Sequence, residues 1–118
     1  MRVMIDTNVL ISAIYNPNSL PAQVVQFVED AHIPVLPVLS EYIVDECRAV
    51  INRKFPHHLS AFEVLLVGLN PEIVPSADAA EITLDDPKDQ SILNSAIASE
   101  VDILVTGDKG FFESPDLR

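Results

Sequence analysis

Val3-Met4-Ile5-Asp6-Thr7-Asn8 decides the fold of this chain. The short apolar run closed by Asp-Thr-Asn reads as a buried strand that hands over directly to a helix. Working outward, Val9–Ala13 reads as a short helix ended by Asn16-Pro17-Asn18-Ser19. Ser19 caps a second helix that carries Pro21 in its first turn. Ile33–Val38 is expected to be the next strand, made irregular by Pro34 and Pro37. Ser40 caps a helix running to about Arg53, Phe55-Pro56 breaks it, and His58–Leu69 forms another. Glu72-Ile73-Val74 is a short strand, Asp85-Asp86-Pro87 opens a helix to about Ser99, and Asp102–Thr106 is the last strand. Gly107-Asp108-Lys109-Gly110 follows as a tight turn. Strand and helix alternate throughout, which predicts an α/β class fold: a three-layer α/β/α sandwich around a central parallel sheet.

Length and composition bound the function. The 118 residues fit one domain, 1–118, with no room for a second. Hydrophobic residues make up 48% and charged residues 21%, which excludes a disordered chain. The formal charge of −11 argues against a protein that coats itself with bases to hold nucleic acid. It leaves open a protein that meets phosphates through metal ions. Cys47 is the one cysteine, so no disulfide forms within the chain, and a reducing compartment, the cytoplasm, is expected. The start reaches a carboxylate after three apolar residues, and the longest apolar run is Val64–Val67. Neither a secretory signal nor a membrane span is expected.

The acids carry the chemistry. Asp6 stands just past the first strand and Asp108 just past the last. Both fall at the carboxyl edge of the sheet, where ligands bind in such folds; Asp is also common in turns and caps. At roughly 100° per residue, Ile92, Leu93, Ala96 and Ile97 form one stripe, and Asp89 projects into it near the helix start. A carboxylate so placed is costly unless a metal or backbone donors meet it. Asp85 and Asp86 read as caps. In the helix after Ser40 the apolar face is Ile43, Cys47, Val50 and Ile51. Glu46 borders that face, whereas Glu41 and Asp45 point outward. Asp6, Glu46, Asp89 and Asp108 thus come from four separate elements. Clustered, they repel one another unless cations neutralise them. All-oxygen sites select hard cations, Mg²⁺ or Mn²⁺. Such ions activate water and stabilise in-line attack at phosphorus.

Three stretches resemble PIN-domain ribonucleases: Val3–Ala13, Asp86–Leu93 followed by Ala96 and Ala98, and Asp102–Lys109. They occur in order at fitting separations and span nearly the whole chain. The variety is most similar to toxin components of toxin–antitoxin pairs. The resemblance implies a Mg²⁺- or Mn²⁺-dependent endonuclease acting on RNA, with the family's acids falling on Asp6, Glu46, Asp89 and Asp108. It also places a hydroxyl or amide beside the first acid, matched by Thr7 and Asn8, and Thr106 stands near the last. Thr7 is placed to orient the Asp6 carboxylate, helix capping accounts for Thr7 and Asn8 equally well, and Thr106 leans toward a structural role in the turn. An antitoxin protein is the implied partner, and homodimers are common in the family. The family usually adds a fifth strand after Thr-Gly-Asp. This chain ends Ser114-Pro115-Asp116-Leu117-Arg118 with no apolar run. The sheet is therefore expected to lack its last strand, through truncation or another way of closing the edge.

Remaining residues read more plainly. His57 and His58 belong to a surface loop, Cys47 to the core, and Phe111 and Phe112 to packing. Arg48, Arg53, Lys54 and Lys109 are the bases near the proposed site or its helix, with a solvated surface as the default. Affinity for free RNA is expected to be modest and metal-dependent. A phosphoacceptor receiver domain needs an acidic pair where Asp6-Thr7-Asn8 stands, and a haloacid dehalogenase-type phosphatase needs an Asp at Asn8. The remaining alternative is a catalytically inactive PIN-like scaffold that binds RNA or protein.

Overall fold

The computed structural model describes residues 1–30, 34–76 and 87–107, the side chains of 87–89 excepted. The chain runs β1 (Arg2–Ile5), α1 (Thr7–Tyr15), α2 (Leu20–Asp30), β2 (Leu36–Ser40), α3 (Glu41–Lys54), a 3₁₀ turn (Pro56–His58), α4 (Leu59–Leu69), β3 (Glu72–Val74), α5 (Pro87–Ala98) and β4 (Ile103–Val105). The four strands form one parallel sheet in the order β3-β2-β1-β4. Met4 is in register with Val38 on one side and Leu104 on the other. Val3, Met4 and Ile5 are all buried, as are Val38 and Leu39. Successive strand residues face opposite sides, so both faces of the sheet are covered. Parallel crossovers are right-handed, which sends the helices between β1 and β3 to one face and α5, on the return path to β4, to the other.

Local chemistry sets the element ends. Asp6 Oδ1 accepts from Val9 N–H at 2.9 Å and starts α1 at once. This helix is longer than the Val9–Ala13 expected, because the acid itself is the cap. Ser19 Oγ accepts from Ala22 N–H, and Ser40 Oγ from Ile43 N–H at 3.1 Å. Asn70 closes α4 in the left-handed conformation, φ 45°, which Asn tolerates better than most residues.

The expected strand Ile33–Val38 is corrected to Leu36–Ser40; Ile33 lies outside the described residues. Leu36 N–H donates to Met1 O at 2.7 Å. The nitrogen of the next residue, Pro37, therefore faces away from β1. Pairing with β3 begins only at Val38. The missing N–H of Pro37 falls where no partner strand asks for it. β4 is trimmed to Ile103–Val105 from the expected Asp102–Thr106. The question of a fifth strand falls on residues outside those described.

At the amino edge of the sheet Arg2 ties three elements together. Its Nη1 pairs with Glu72 at 2.6 Å, its Nε donates to Ser99 O at 3.1 Å, and its N–H donates to Asp102 Oδ2 at 2.7 Å. The Glu72 pair is partly exposed, so it adds only about 0.2–1 kcal/mol.

The core is filled from α4 by Phe62, which is 0% exposed, whereas Val67 on the same helix is 80% exposed. Phe62→Ala is expected to destabilise by about 3–5 kcal/mol, from lost burial plus the cavity left behind. Val67→Ala is expected to change stability by less than about 0.5 kcal/mol. Urea denaturation of both variants checks the contrast.

Candidate metal centre at the carboxyl edge of the sheet

The helix leaving β1 leads to β2 on one flank, while β4 occupies the other flank. The crevice beyond the carboxyl ends of β1 and β4 is therefore the topological switch point of the sheet. Asp6 stands in it. Its N–H donates to Val105 O at 3.0 Å, and the residue is 2% exposed. One carboxylate oxygen caps α1 through Val9, and the other accepts from the Thr106 hydroxyl just past β4. Both donors are neutral, and the carboxylate they hold is almost wholly shielded from water.

Thr7 is buried beside it, and Thr7 Oγ1 has no hydrogen-bond partner among the described residues. Since Asp6 is the cap, neither Thr7 nor Asn8 fills that role. The hydroxyl that orients Asp6 is that of Thr106. Asn8 is exposed in the first turn of α1.

Glu46 lies half-buried on α3, with Glu41 and Asp45 exposed, as the helical phase required. The Tyr42 hydroxyl donates to Glu46 Oε2 one turn away. Tyr42 N–H in turn donates to Ser76 Oγ at 3.0 Å. Tyr42 and Ser76 were missed from sequence. The i, i+4 spacing of Tyr42 and Glu46 was the available signal; the Ser76 bond spans 34 residues and had none. Cys47 connects Glu46 to Asp6. Its thiol lies against the Thr7 carbonyl at 4.0 Å. Burial first, then the negative charges of Glu46 and Asp6, push it up to about 12. Both carboxylates thus lie within electrostatic reach of one buried thiol.

Ile92, Leu93 and Ala96 of α5 are buried, and Asp89 stands one turn before them on the same helical register. The side chain of Asp89 lies outside the described residues, as do Asp85, Asp86, Asp108, Lys109, Phe111 and Phe112. Ile97, expected in the stripe, is exposed, while Asn94 and Ser95 are buried. Their polar groups are satisfied along the helix: Ser95 Oγ donates to Ser91 O, and Asn94 Oδ1 accepts from Gln90. A hydroxyl bonded back into its own helix can be buried without stranding a donor. Arg48 is engaged on the far flank of α3 in a two-pronged pair with Glu63 of α4, at 2.7 and 3.1 Å. The pair raises the arginine and lowers the carboxyl from their ordinary values.

A family profile described as PIN domain matches residues 2–110. The chain belongs to the PIN domain family. An uncharacterized protein of Methanocaldococcus jannaschii, MJ1680, is 29% identical over 125 residues, covering 98% of this chain and 76% of that protein. A solved chain from VapBC2 of Rickettsia felis, bound to a DNA fragment from their promoter, is similar with a TM-score of 0.74 and 19% identity. That alignment covers 99% of this PIN chain and 96% of the other, and it establishes a shared fold. Among the described residues no helix is long and apolar enough to cross a membrane.

The Cys47 thiol gives this site a pH signature. Its pKa is raised on folding, so its contribution to stability is complete below the unfolded value of about 8.5 and is lost as pH rises through about 12. At pH 8.5, iodoacetamide is expected to label Cys47 in urea and to leave the folded chain unlabelled. Equal labelling rates in the two states would contradict the burial.

Proposed function

We propose that this PIN-domain chain is a metal-dependent endoribonuclease and the toxin of a toxin–antitoxin pair. The observation that carries the reading is the buried Asp6 carboxylate at the switch point, held by two neutral donors. The residues fit a hard divalent cation. The donors are carboxylate and hydroxyl oxygens, and the buried Thr7 Oγ1 beside them lacks a hydrogen-bond partner among the described residues. Asp6, Glu46, Asp89 and Asp108 would hold Mg²⁺ or Mn²⁺. A bound ion supplies an activated water and neutralises charge developing at a phosphodiester.

The chain's own residues do the positioning. Thr106 and the α1 amide fix both oxygens of Asp6, so the carboxylate cannot swing into α1 or toward solvent. Tyr42 holds Oε2 of Glu46 and so fixes the direction of that carboxylate on α3. The acid-rich surface repels bulk RNA, which keeps metal-free binding weak and lets a bound cation strengthen it. It also suits a basic antitoxin, and the likeness to a VapBC2 chain supports such a partner. A second copy of the chain and a cytoplasmic setting belong to the same proposal.

The experiment is Mn²⁺-dependent RNA cleavage by the parent, Asp6→Asn and Asp89→Asn. Asn caps a helix about as well as Asp, so Asp6→Asn removes the charge and keeps α1. Without metal its melting temperature is expected to equal or exceed the parent's, because a buried charge has gone. Cleavage by either variant is expected to fall by at least about 100-fold, since an uncharged amide is a poor ligand for a hard cation. Equal cleavage by all three chains would overturn the assignment.

A further inference from the structure

The bases of this chain are few, so where the free ones stand is informative. It has seven Lys and Arg against 18 Asp and Glu. Arg2 and Arg48 are spent on Glu72 and Glu63. Arg53 and Lys54, at the end of α3, are exposed and make no ion pair or hydrogen bond among the described residues. Aromatic rings gather beside them. Tyr15, at the end of α1, is 61% exposed with its ring 4.8 Å from that of Phe55 at a 38° tilt. The Phe55 ring lies 6.2 Å from His58, and His58 lies 4.4 Å from His57.

The placement connects this cluster to the acids. Both α1 and α3 begin at the carboxyl edge, behind Asp6 and Ser40. Both end at the rings. Arg53 follows Glu46 by seven residues, which puts it on the same helical face about 10 Å further along. A polyanion lying at Asp6 and Glu46 and following α3 meets Arg53 next and the Tyr15 ring after it. The helix dipole favours cations at this end of α3. It gives no reason for an exposed tyrosine ring stacked beside them.

We propose that Arg53, Lys54 and the Tyr15–Phe55 ring pair form a binding surface for single-stranded RNA, continuing from the carboxylate site along α3. Cations that track the backbone and an aromatic face on which a base stacks are the two requirements for holding a single strand. The choice of RNA as ligand rests on the endoribonuclease reading; the surface itself does not.

The test is fluorescence anisotropy of a labelled oligouridine in EDTA at low salt. Binding is expected to be weak but measurable. In Arg53→Ala/Lys54→Ala the slope of log affinity against log salt is expected to fall by about 1.4, about 0.7 for each phosphate no longer neutralised. Tyr15→Ala is expected to weaken binding by at least about fivefold, the low end for one stacked base, and Tyr15→Trp to restore it. Gln23→Glu/Gln26→Glu on α2 has the same net charge as the double alanine variant and is expected to leave the slope unchanged. An unchanged slope in the double alanine variant, an equal loss in the α2 control, or no oligouridine binding by the parent would overturn the surface. Absence of Mn²⁺-dependent cleavage with this binding intact would instead overturn the nuclease reading and leave the surface standing.

Discussion

One buried carboxylate joins three parts of this fold. Asp6 receives the backbone of α1 on one oxygen and the Thr106 hydroxyl on the other, while its own N–H continues the β1–β4 ladder. The acid therefore specifies where β1 stops, where α1 starts and how the end of β4 is held. A carboxylate in low dielectric is costly when its lone pairs are unmet. Here the structural bonds already orient it, so the cation proposed for this site would meet a carboxylate that needs no reorganisation. Structural and chemical uses of Asp6 are the same geometry seen twice.

The two edges of the sheet divide the work. At the amino edge Arg2 binds Glu72, Ser99 and Asp102 and closes the ends of β3, α5 and β4 around β1. At the carboxyl edge each strand gives way to an oxygen-bearing side chain: Asp6, Ser40, Ser76 and Thr106. Three of these four act on helix starts, through Val9, Ile43 and Tyr42. Helix N-termini present unsatisfied N–H groups, and these oxygens meet them; of the three, Asp6 also stands in the crevice between β1 and β4. Cys47 sits beneath, its thiol kept neutral by burial and by the acids beside it.

Charge follows the same division. Under the proposed reading the acids at the carboxyl edge stand beside a hard cation, and the remaining acids keep a net negative surface. Of the described arginines, Arg2 and Arg48 serve the fold and Arg53 is left to solvent. In a chain so acidic, long-range attraction cannot draw in a polyanion. Under the proposed reading local features do it: the proposed cation site toward one end of α3 and the small basic and aromatic cluster at the other.

Much of this was legible before any coordinates. The apolar run ending at Asp6 announced a buried strand, and strand–helix alternation announced a parallel sheet. Helical phase singled out Glu46 against Glu41 and Asp45, because the periodicity of a helix is a local property. The limits of β2 were harder to read, since whether a proline harms a strand depends on which side its neighbours stand. Phase also failed at Ile97, where Ser95 and Asn94 entered the buried face by bonding within their own helix. Only the tertiary structure decided that Thr106, and not Thr7, orients Asp6, that Ser76 meets the first turn of α3, and that Tyr15 lies on Phe55. Sequence by itself determines periodicity and capping, which are short-range. Partners that stand 34 to 100 residues apart are chosen by the path of the chain across the sheet, and that path exists only once the strands have paired.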